Sequence, residues 1–471
     1  MPFKKVVLTL IGLVGICGFS AAQTWGGSSA ADRQTVHISA YTGFGMVSET
    51  RQVQLQKGPG TLTVAGVPAY IVSESVRVRS VNQPDKLIVQ EQVFEYDLLS
   101  PEKLLDRYVG KPVRLIVWNE YQDRKETVEA VLLGHRNGVI YEINGDVYLG
   151  HPGVRVLPGP TDGLVTEPSL IWQYENAGAA SHTLELAYLT RNIGWSADYA
   201  LTISPDGQSG TISVWATLDN RSGTSYDNVR LTLVAGEVHR APEPAGGRKV
   251  MAMEAAAPSP SAVSAGSLSE YYRYDLKREI ELKNNQTRQL RLFGATGIGL
   301  EREFMVRGES SGWMRSMGDE GRRQPVGVFI RLENTTANRM GMPLPAGTVR
   351  IYRQDEDQGS QFVGEDVISH TPRDETIRMK MGNAFDIVAE RRQTDYRRLS
   401  ARLHESAWEI RLVNRKAEPV TVRVVEPLTG NWTIKESSQP YEKSGAFEIR
   451  FDVDIPAGAE TVVTYRISVG L

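Results

Sequence analysis

Three aspartates carry the side chains best placed for acid–base work. Asp198 ends the stretch Asn192-Ile193-Gly194-Trp195-Ser196-Ala197-Asp198, Asp219 opens Asp219-Asn220-Arg221-Ser222-Gly223, and Asp366 closes Val363-Gly364-Glu365-Asp366. Cleaving a glycosidic bond takes two carboxyl groups roughly 5–10 Å apart, one of them to protonate the leaving oxygen. Any two of these aspartates sharing a cleft would make such a pair. Nothing local in the sequence brings them together.

Other patterns name a chemistry but lack its setting. The seven histidines (His37, His135, His151, His182, His239, His370 and His404) contain no HExxH zinc spacing and no i, i+4 pair, so they read as turn and surface residues. Gly308-Glu309-Ser310-Ser311-Gly312 fits GxSxG, which exposes a nucleophile only on a strand-to-helix turn. Here Trp313-Met314-Arg315 and a Gly-rich polar stretch follow, the composition of a loop. Gly294-Ala295-Thr296-Gly297-Ile298-Gly299 supplies glycines without the βαβ unit that a dinucleotide requires. Asp355-Glu356-Asp357 offers oxygens to a calcium loop, but three adjacent acids more commonly make a solvated turn. No catalytic, cofactor-binding or metal-ligating residue is assigned, and no cofactor is implied.

Aromatic side chains offer binding rather than catalysis, because exposed rings stack on sugars or anchor partners. The candidates are Trp195, Trp215, Trp313, Trp432, Tyr271, Tyr272 and Tyr274. Trp195 and Trp215 lie in strand patterns and read as core. For Tyr271 and Tyr272, core and surface roles stay equally open.

The elements that must position these residues are strands. Alternation of apolar and polar side chains runs through Val76–Val81, Thr211–Trp215, Val229–Leu233, Glu279–Leu282, Val420–Val424 and Phe447–Phe451, with Gly, Asn, Asp and Pro between them. One short helix is signalled, by Ser100 as N-cap, Pro101 at the first helical position and Glu102 through Val109. The fold class is all-β: an N-terminal β-unit at 33–97, a small SH3/Sm-like barrel at 98–160, then an immunoglobulin-like β-sandwich assembly at 161–471. In the barrel segment, Asn137-Gly138 and Asn144-Gly145 read as two-residue hairpin turns, because both turn positions need positive φ. Residues 241–269 are mostly Ala, Pro, Ser and Gly, which cannot bury enough surface to offset the entropy of ordering. They read as a mobile insertion within the sandwich assembly. Asn220, Asn334 and Asn414 each follow an alternating strand and open a polar turn, where an Asn side chain bonds the backbone and tolerates left-handed φ.

Residues 1–22 read as a cleavable secretory signal peptide. Lys4 and Lys5 precede the 14-residue apolar run Val6–Phe19, and Ser20-Ala21-Ala22 supplies small residues for cleavage before Gln23. That run is too short to span about 30 Å of hydrocarbon, and no second run of spanning length follows. Cys17, the single cysteine, would leave with the leader, which excludes disulfides and thiolate chemistry in the mature chain. The net charge of -3, from 53 basic and 56 acidic side chains, gives no electrostatic footprint for nucleic acid.

Several ordered stretches together carry a family resemblance. They are Leu189–Tyr199, Leu218–Gly236 with its Leu233-Val234-Ala235-Gly236, Tyr271–Leu292, Pro345-Ala346-Gly347-Thr348-Val349-Arg350-Ile351-Tyr352 with Val363–Asp366, and Trp432 to the C-terminus. Over roughly 165–471 the chain resembles the exported bacterial family that includes the mucoidy-inhibitor-like proteins. The resemblance implies a β-rich extracytoplasmic protein and, through the family name, a connection with envelope polysaccharide. It carries over no site residue, because the family's module is described as one of unknown function. Longer members carry a helical coiled-coil arm where this chain has the small barrel.

The expectation is an exported protein of the periplasm or cell envelope that binds or scaffolds without catalysis, contacting protein or polysaccharide. Nucleic-acid partners are not expected, and the oligomeric state is open. The alternative is a hydrolase acting on envelope polymers through paired carboxylates.

Overall fold

A computed structural model of the chain describes residues 26–96, 100–119, 123–136, 138–158, 166–236, 238–240, 263–268, 271–309, 313, 315–318, 320–355 and 359–470. The leader, Asn137, Ser310 to Gly312, Glu356-Asp357 and most of 241–269 lie outside the described residues. The protein is all-β, with a single α-helix among the described residues, Pro101–Tyr108. Two compact units form, one from residues up to 35 and 48–188, the other from 36–47 and 189–471.

In the first unit, the strands Gly58–Ala65 and Leu87–Glu95 flank Ser169–Asn176 on either side, both antiparallel to it. The 169–176 segment is therefore part of the N-terminal β-unit, although its place in the sequence groups it with the sandwiches. Local alternation identifies a strand but not its partner. Arg51 is wholly buried here; it bonds Glu49 Oε1 at 2.7 and 2.9 Å and the carbonyls of Ser29 and Ala65 at 3.0 and 2.8 Å.

The barrel segment opens on the helix. Ser100 Oγ accepts the Lys103 N–H at 3.2 Å, and Pro101 takes the first turn, where its missing N–H costs nothing. Five strands follow in the spatial order Asp146–Leu149, Ile140–Ile143, Arg124–Gly134, Pro112–Asn119, Val154–Val156, so the last pairs back onto the first. Tyr108 of the helix joins Val113, Leu115, Leu132, Tyr141 and Ile143 in one core. At Asn144-Gly145 both residues have positive φ (53° and 88°), and Ile143 faces Asp146 across the turn.

The second unit holds two β-assemblies. In one, a five-stranded sheet runs in the order Gln286–Gly299, Ser209–Asn220, Ile193–Ile203, Gly347–Asp355, Gly359–Ile368. It packs on a sheet built around Tyr226–Ala235, which pairs with Tyr271–Leu276 and, in parallel, with residues 36–40. Trp195 and Tyr199 point inward from the first sheet, and Tyr274 meets the Trp195 ring edge-on at 6.1 Å. Within 241–269, residues 263–268 form a strand paired with Tyr271–Leu276. In the other assembly, nine strands from Glu301 to Gly470 form one sheet. Both ends of that sheet contribute to a single core, with Trp313, Trp408, Phe451 and Tyr465 at its centre.

Asn220, Asn334 and Asn414 are all fully buried. Asn220 Nδ2 donates to the carbonyls of Thr224, Leu282 and Lys283 at 3.0–3.3 Å, and its Oδ1 accepts from Ser222. Asn334 does the same toward Met342, Pro372 and Gly341, and Asn414 toward Glu418, Ile455, Pro456 and Lys416. None of the three has positive φ, so the side-chain bonding half of the expectation holds and the left-handed half does not.

Candidate functional site

Residues 41–44 make the first wall of a cleft in the second unit. Tyr41 N–H donates to Phe44 O at 2.9 Å, with Gly43 at φ +86°. The Trp195 N–H donates to Tyr41 O at 3.1 Å, fastening this turn to the Ile193–Ile203 strand. Gly194 permits the approach, since a Cβ there would lie 2.7 Å from Gly43 N. The Tyr41 and Phe44 rings stack with centroids 4.5 Å apart and planes within 3°. The Arg240 guanidinium carbon lies 4.7 Å from the Phe44 ring centroid.

Trp195 closes the inner end. It is 6% exposed, and its Nε1 donates to the Val234 carbonyl at 3.0 Å. Pro345, Ala346 and Val367 to His370 form the opposite wall. Tyr199, itself buried, holds that wall by donating its hydroxyl to Pro345 O at 2.5 Å. Gly347 cannot carry a Cβ, because the Ala197 carbonyl fills the position where the two parallel strands begin together. His370 Nδ1 accepts the Ala346 N–H at 3.0 Å, which leaves the ring proton on Nε2. Desolvation pushes the His370 pKa below its ordinary value, so the ring is neutral at pH 7.

These elements enclose about 600 Å³, the size of a small-ligand pocket. Hydroxyls come from Thr42, Ser196 and Ser369, cationic donors from Arg240, and apolar surface from Tyr41, Phe44, Val238 and Val367. Among the described lining residues there is no Asp or Glu. Three of the ordered stretches quoted above converge on this one cleft: Trp195-Ser196-Ala197, Ala235-Gly236 and Pro345-Ala346.

The three aspartates are elsewhere. Asp198 accepts from Thr217 Oγ1 at 2.5 Å and pairs with Arg350 Nη1 at 3.0 Å. Asp219 is opposite Gly194, four residues from Asp198 along the strand, which is roughly 14 Å at ~3.4 Å per residue; it bonds Thr287 Oγ1 and Arg221. Asp366 shares the register of Val349 and Tyr199, on the opposite face of the pleat from Asp198, and accepts the backbone N–H groups of Lys380 and Val367.

The remaining motifs are likewise placed by packing. Residues 294–299 lie inside the strand Gln286–Gly299 and open no helix. Gly308 follows a strand and sits against the Glu426 carboxylate, with no space for a Cβ. Trp215 is 38% exposed, contrary to its reading as core. Its neighbours Val214 and Ala216 both face inward, and alternation sends the residue between them out. Trp313, Trp432, Tyr272 and Tyr274 are buried, while Tyr271 is half-buried against Gly236 at the cleft edge. His37, His135, His182 and His404 each bond a side chain, respectively Thr232, Asp106, Ser80 and Tyr396.

Tyr41, Phe44, Arg240 and His370 are the cleft residues that sequence reasoning did not assign. They come from three separate segments, and only the fold gathers them. The usable signal was the convergence of the ordered stretches, whose Gly and Pro residues serve close backbone approach.

The cleft and the paired sheets belong to a β-sandwich module. Residues 184–471 match the model of a domain of unknown function, DUF4139, and the chain belongs to that family. No curated relative matches the chain.

Proposed function

We propose that this protein is a non-enzymatic binding protein of the bacterial envelope, and that the cleft between Phe44, Trp195 and His370 seats its ligand, a glycan or a protein segment. The observation that carries the reading is the convergence of family-type stretches on a walled cleft whose Trp195 indole and His370 imidazole are held by backbone contacts. Rigid aromatic surface with a few fixed polar groups is the composition of a recognition site. The envelope location rests on the leader pattern at residues 1–22, and the polysaccharide option draws on the resemblance to mucoidy-inhibitor-like proteins. Hydrolysis by paired carboxylates finds no support among the described lining residues of this cleft, which include neither Asp nor Glu.

The test uses the full mature chain and a Phe44→Ala variant on a glycan array and in pull-downs from envelope extract. A ligand retained by the native chain and lost by the variant supports the proposal. Equal retention by both, or retention of nothing, overturns it. The mass of the exported protein should begin at Gln23; a chain that retains residues 1–22 overturns the leader reading.

A further inference from the structure

The barrel of the first unit ends in an unprotected strand edge, and we propose that this edge joins the same edge of a second copy of the chain in a two-fold dimer. The strand Asp146–Leu149 is terminal in its five-stranded sheet, and among the described residues no strand pairs with its outer side. All four of its residues are exposed, Val147 and Leu149 by 63% and 86%. Such an edge presents a row of unpaired N–H and C=O groups, and proteins that stay apart blunt it with charge, proline or a bulge. Other terminal strands of the molecule carry charges of this kind, among them Arg79, Glu91, Arg155, Arg288 and Lys443. Val147-Tyr148-Leu149 carries none.

The hairpin fixes which groups face outward. Ile143 and Asp146 close the two-residue Asn144-Gly145 turn, so they form a hydrogen-bonded pair, and Tyr148 forms the next one with Tyr141. The N–H and C=O groups of Val147 and Leu149 therefore point away from the sheet. Their side chains share the face opposite to the buried Tyr141 and Ile143, where Leu149 lies beside Ile140. A mating strand must bring outward-pointing backbone groups and apolar side chains on that same face. A two-fold axis normal to the sheet supplies both, because it sets the second strand antiparallel and keeps each face on its own side. Centred on Tyr148, the axis sets Val147 against Leu149 of the second copy and Leu149 against the second copy's Val147. Asp146, the one charge of the strand, then meets Gly150 of the second copy, so no like charges oppose one another. Centring the axis on Asp146 would instead bring two carboxylates face to face.

The experiment uses the chain begun at Gln23, which holds no cysteine because Cys17 is the only one in the sequence. Sedimentation gives its mass over a concentration series, and the variants Tyr148→Cys and Asp146→Cys are oxidised and run on non-reducing gels. The expected result is a doubled mass, returned to that of one copy by Leu149→Pro. Proline at that position takes no bond from the Ile140–Ile143 strand but removes an outward donor. Oxidised Tyr148→Cys should become a covalent dimer, because residues opposed in a non-hydrogen-bonded antiparallel pair lie about 4.5 Å apart at Cα, within disulfide reach. Asp146→Cys should stay uncrosslinked, since four residues of offset separate the two copies of that position by roughly 14 Å. A single-copy mass at every concentration, with no crosslinking of Tyr148→Cys, overturns the proposal, and so does a doubled mass that Leu149→Pro leaves unchanged. Masses of three or more copies would overturn the two-fold arrangement. Crosslinking of Asp146→Cys in preference to Tyr148→Cys would overturn the register.

Discussion

The indole N–H of Trp195 donates to the Val234 carbonyl at 3.0 Å, so the ring that closes the cleft also ties its two sheets together. The same residue's backbone N–H holds Tyr41 O at 3.1 Å. One side chain and its own amide thus fix the inner end and one wall of the site. Replacing Trp195 by Phe keeps a ring but removes the donor and part of the buried area. The expected loss is about 1–3 kcal/mol, from one hydrogen bond and a cavity. Urea unfolding of the second unit measures it. A midpoint unchanged from wild type would show that the indole bond carries no stability.

Asn414, Asn334 and Asn220 predict a chemistry-specific cost. In each case the amide NH₂ faces two or three carbonyl oxygens that have been removed from water. Asn414→Asp keeps the shape and replaces donors by an acceptor, so it should cost more than Asn414→Ala, and at least about 2–3 kcal/mol at pH 7. Lowering the pH should return part of the loss, as the introduced carboxyl takes a proton and can donate once. If Asp and Ala cost the same at every pH, the donor role of the amide is refuted.

Those asparagines also mark how far the sequence could be read. Their position after an alternating strand was visible, and so was their bonding role. Their burial was not, because it depends on partners dozens of residues away such as Leu282 and Pro372. Asn176 does the same work in the first unit, accepting from Gly178 at 2.8 Å and donating to Gln56 and Ala179, yet it has no polar turn of similar composition to flag it. Strands, the helix Pro101–Tyr108 and the Asn144-Gly145 turn were legible because their causes are local. The cleft was not, because the Tyr41–Phe44 stack and His370 meet only through a parallel strand pairing and two close glycine approaches. Trp215 was misread for a different reason: its size suggested burial, while the pattern of its own neighbours pointed it outward.

Gly347 tests one of those close approaches. Gly347→Ala places a methyl group into the Ala197 carbonyl, which is backbone and cannot rotate away. The parallel strands should separate locally, at a cost of about 1–3 kcal/mol from overpacking. The Pro345-Ala346 wall should move with them, so ligand affinity should fall in parallel with stability. Gly458→Ala, where a Cβ would meet nothing but φ is +66°, provides a control for backbone strain remote from the cleft. Loss of affinity in the control alone would contradict the steric account.

His370 gives a pH dependence with a defined sign. Desolvation lowers its pKa in the folded protein below the ordinary 6.5. As pH falls through 6.5, the unfolded chain takes up a proton before the folded chain does, so stability declines on acidification and is fully present above that range. Protonation also removes the Nδ1 lone pair that accepts from Ala346. His37 and His182 are shifted in the same direction and contribute a similar background. The measurement is therefore a comparison: between pH 7 and 5 the wild type should lose more thermal stability than His370→Ala. Equal losses would show that His370 does not titrate against folding.

The buried pair Arg391–Glu426 makes the sharpest stability prediction. Arg391 reaches Glu426 Oε1 and Oε2 at 3.1 and 3.0 Å, with both side chains almost wholly removed from water. Its guanidinium carbon lies 3.5 Å from the Trp408 ring centroid and 5.1 Å from that of Trp313. Burial raises the Glu426 pKa, with Arg391 acting against that rise, so the carboxylate depends on its partner to stay charged. Removing one member strands the other. Glu426→Gln leaves a buried guanidinium and should cost about 3–5 kcal/mol. Arg391→Met leaves a buried carboxylate and should cost a similar amount, partly relieved by protonation as pH falls. The double variant Arg391→Met/Glu426→Leu removes both charges and fills most of the volume, so it should be far less destabilised than the sum of the single changes. Denaturant unfolding of all four proteins gives the coupling directly. Additive losses would mean that the two charges stabilise the sandwich independently, and would reject the pair as its organising contact.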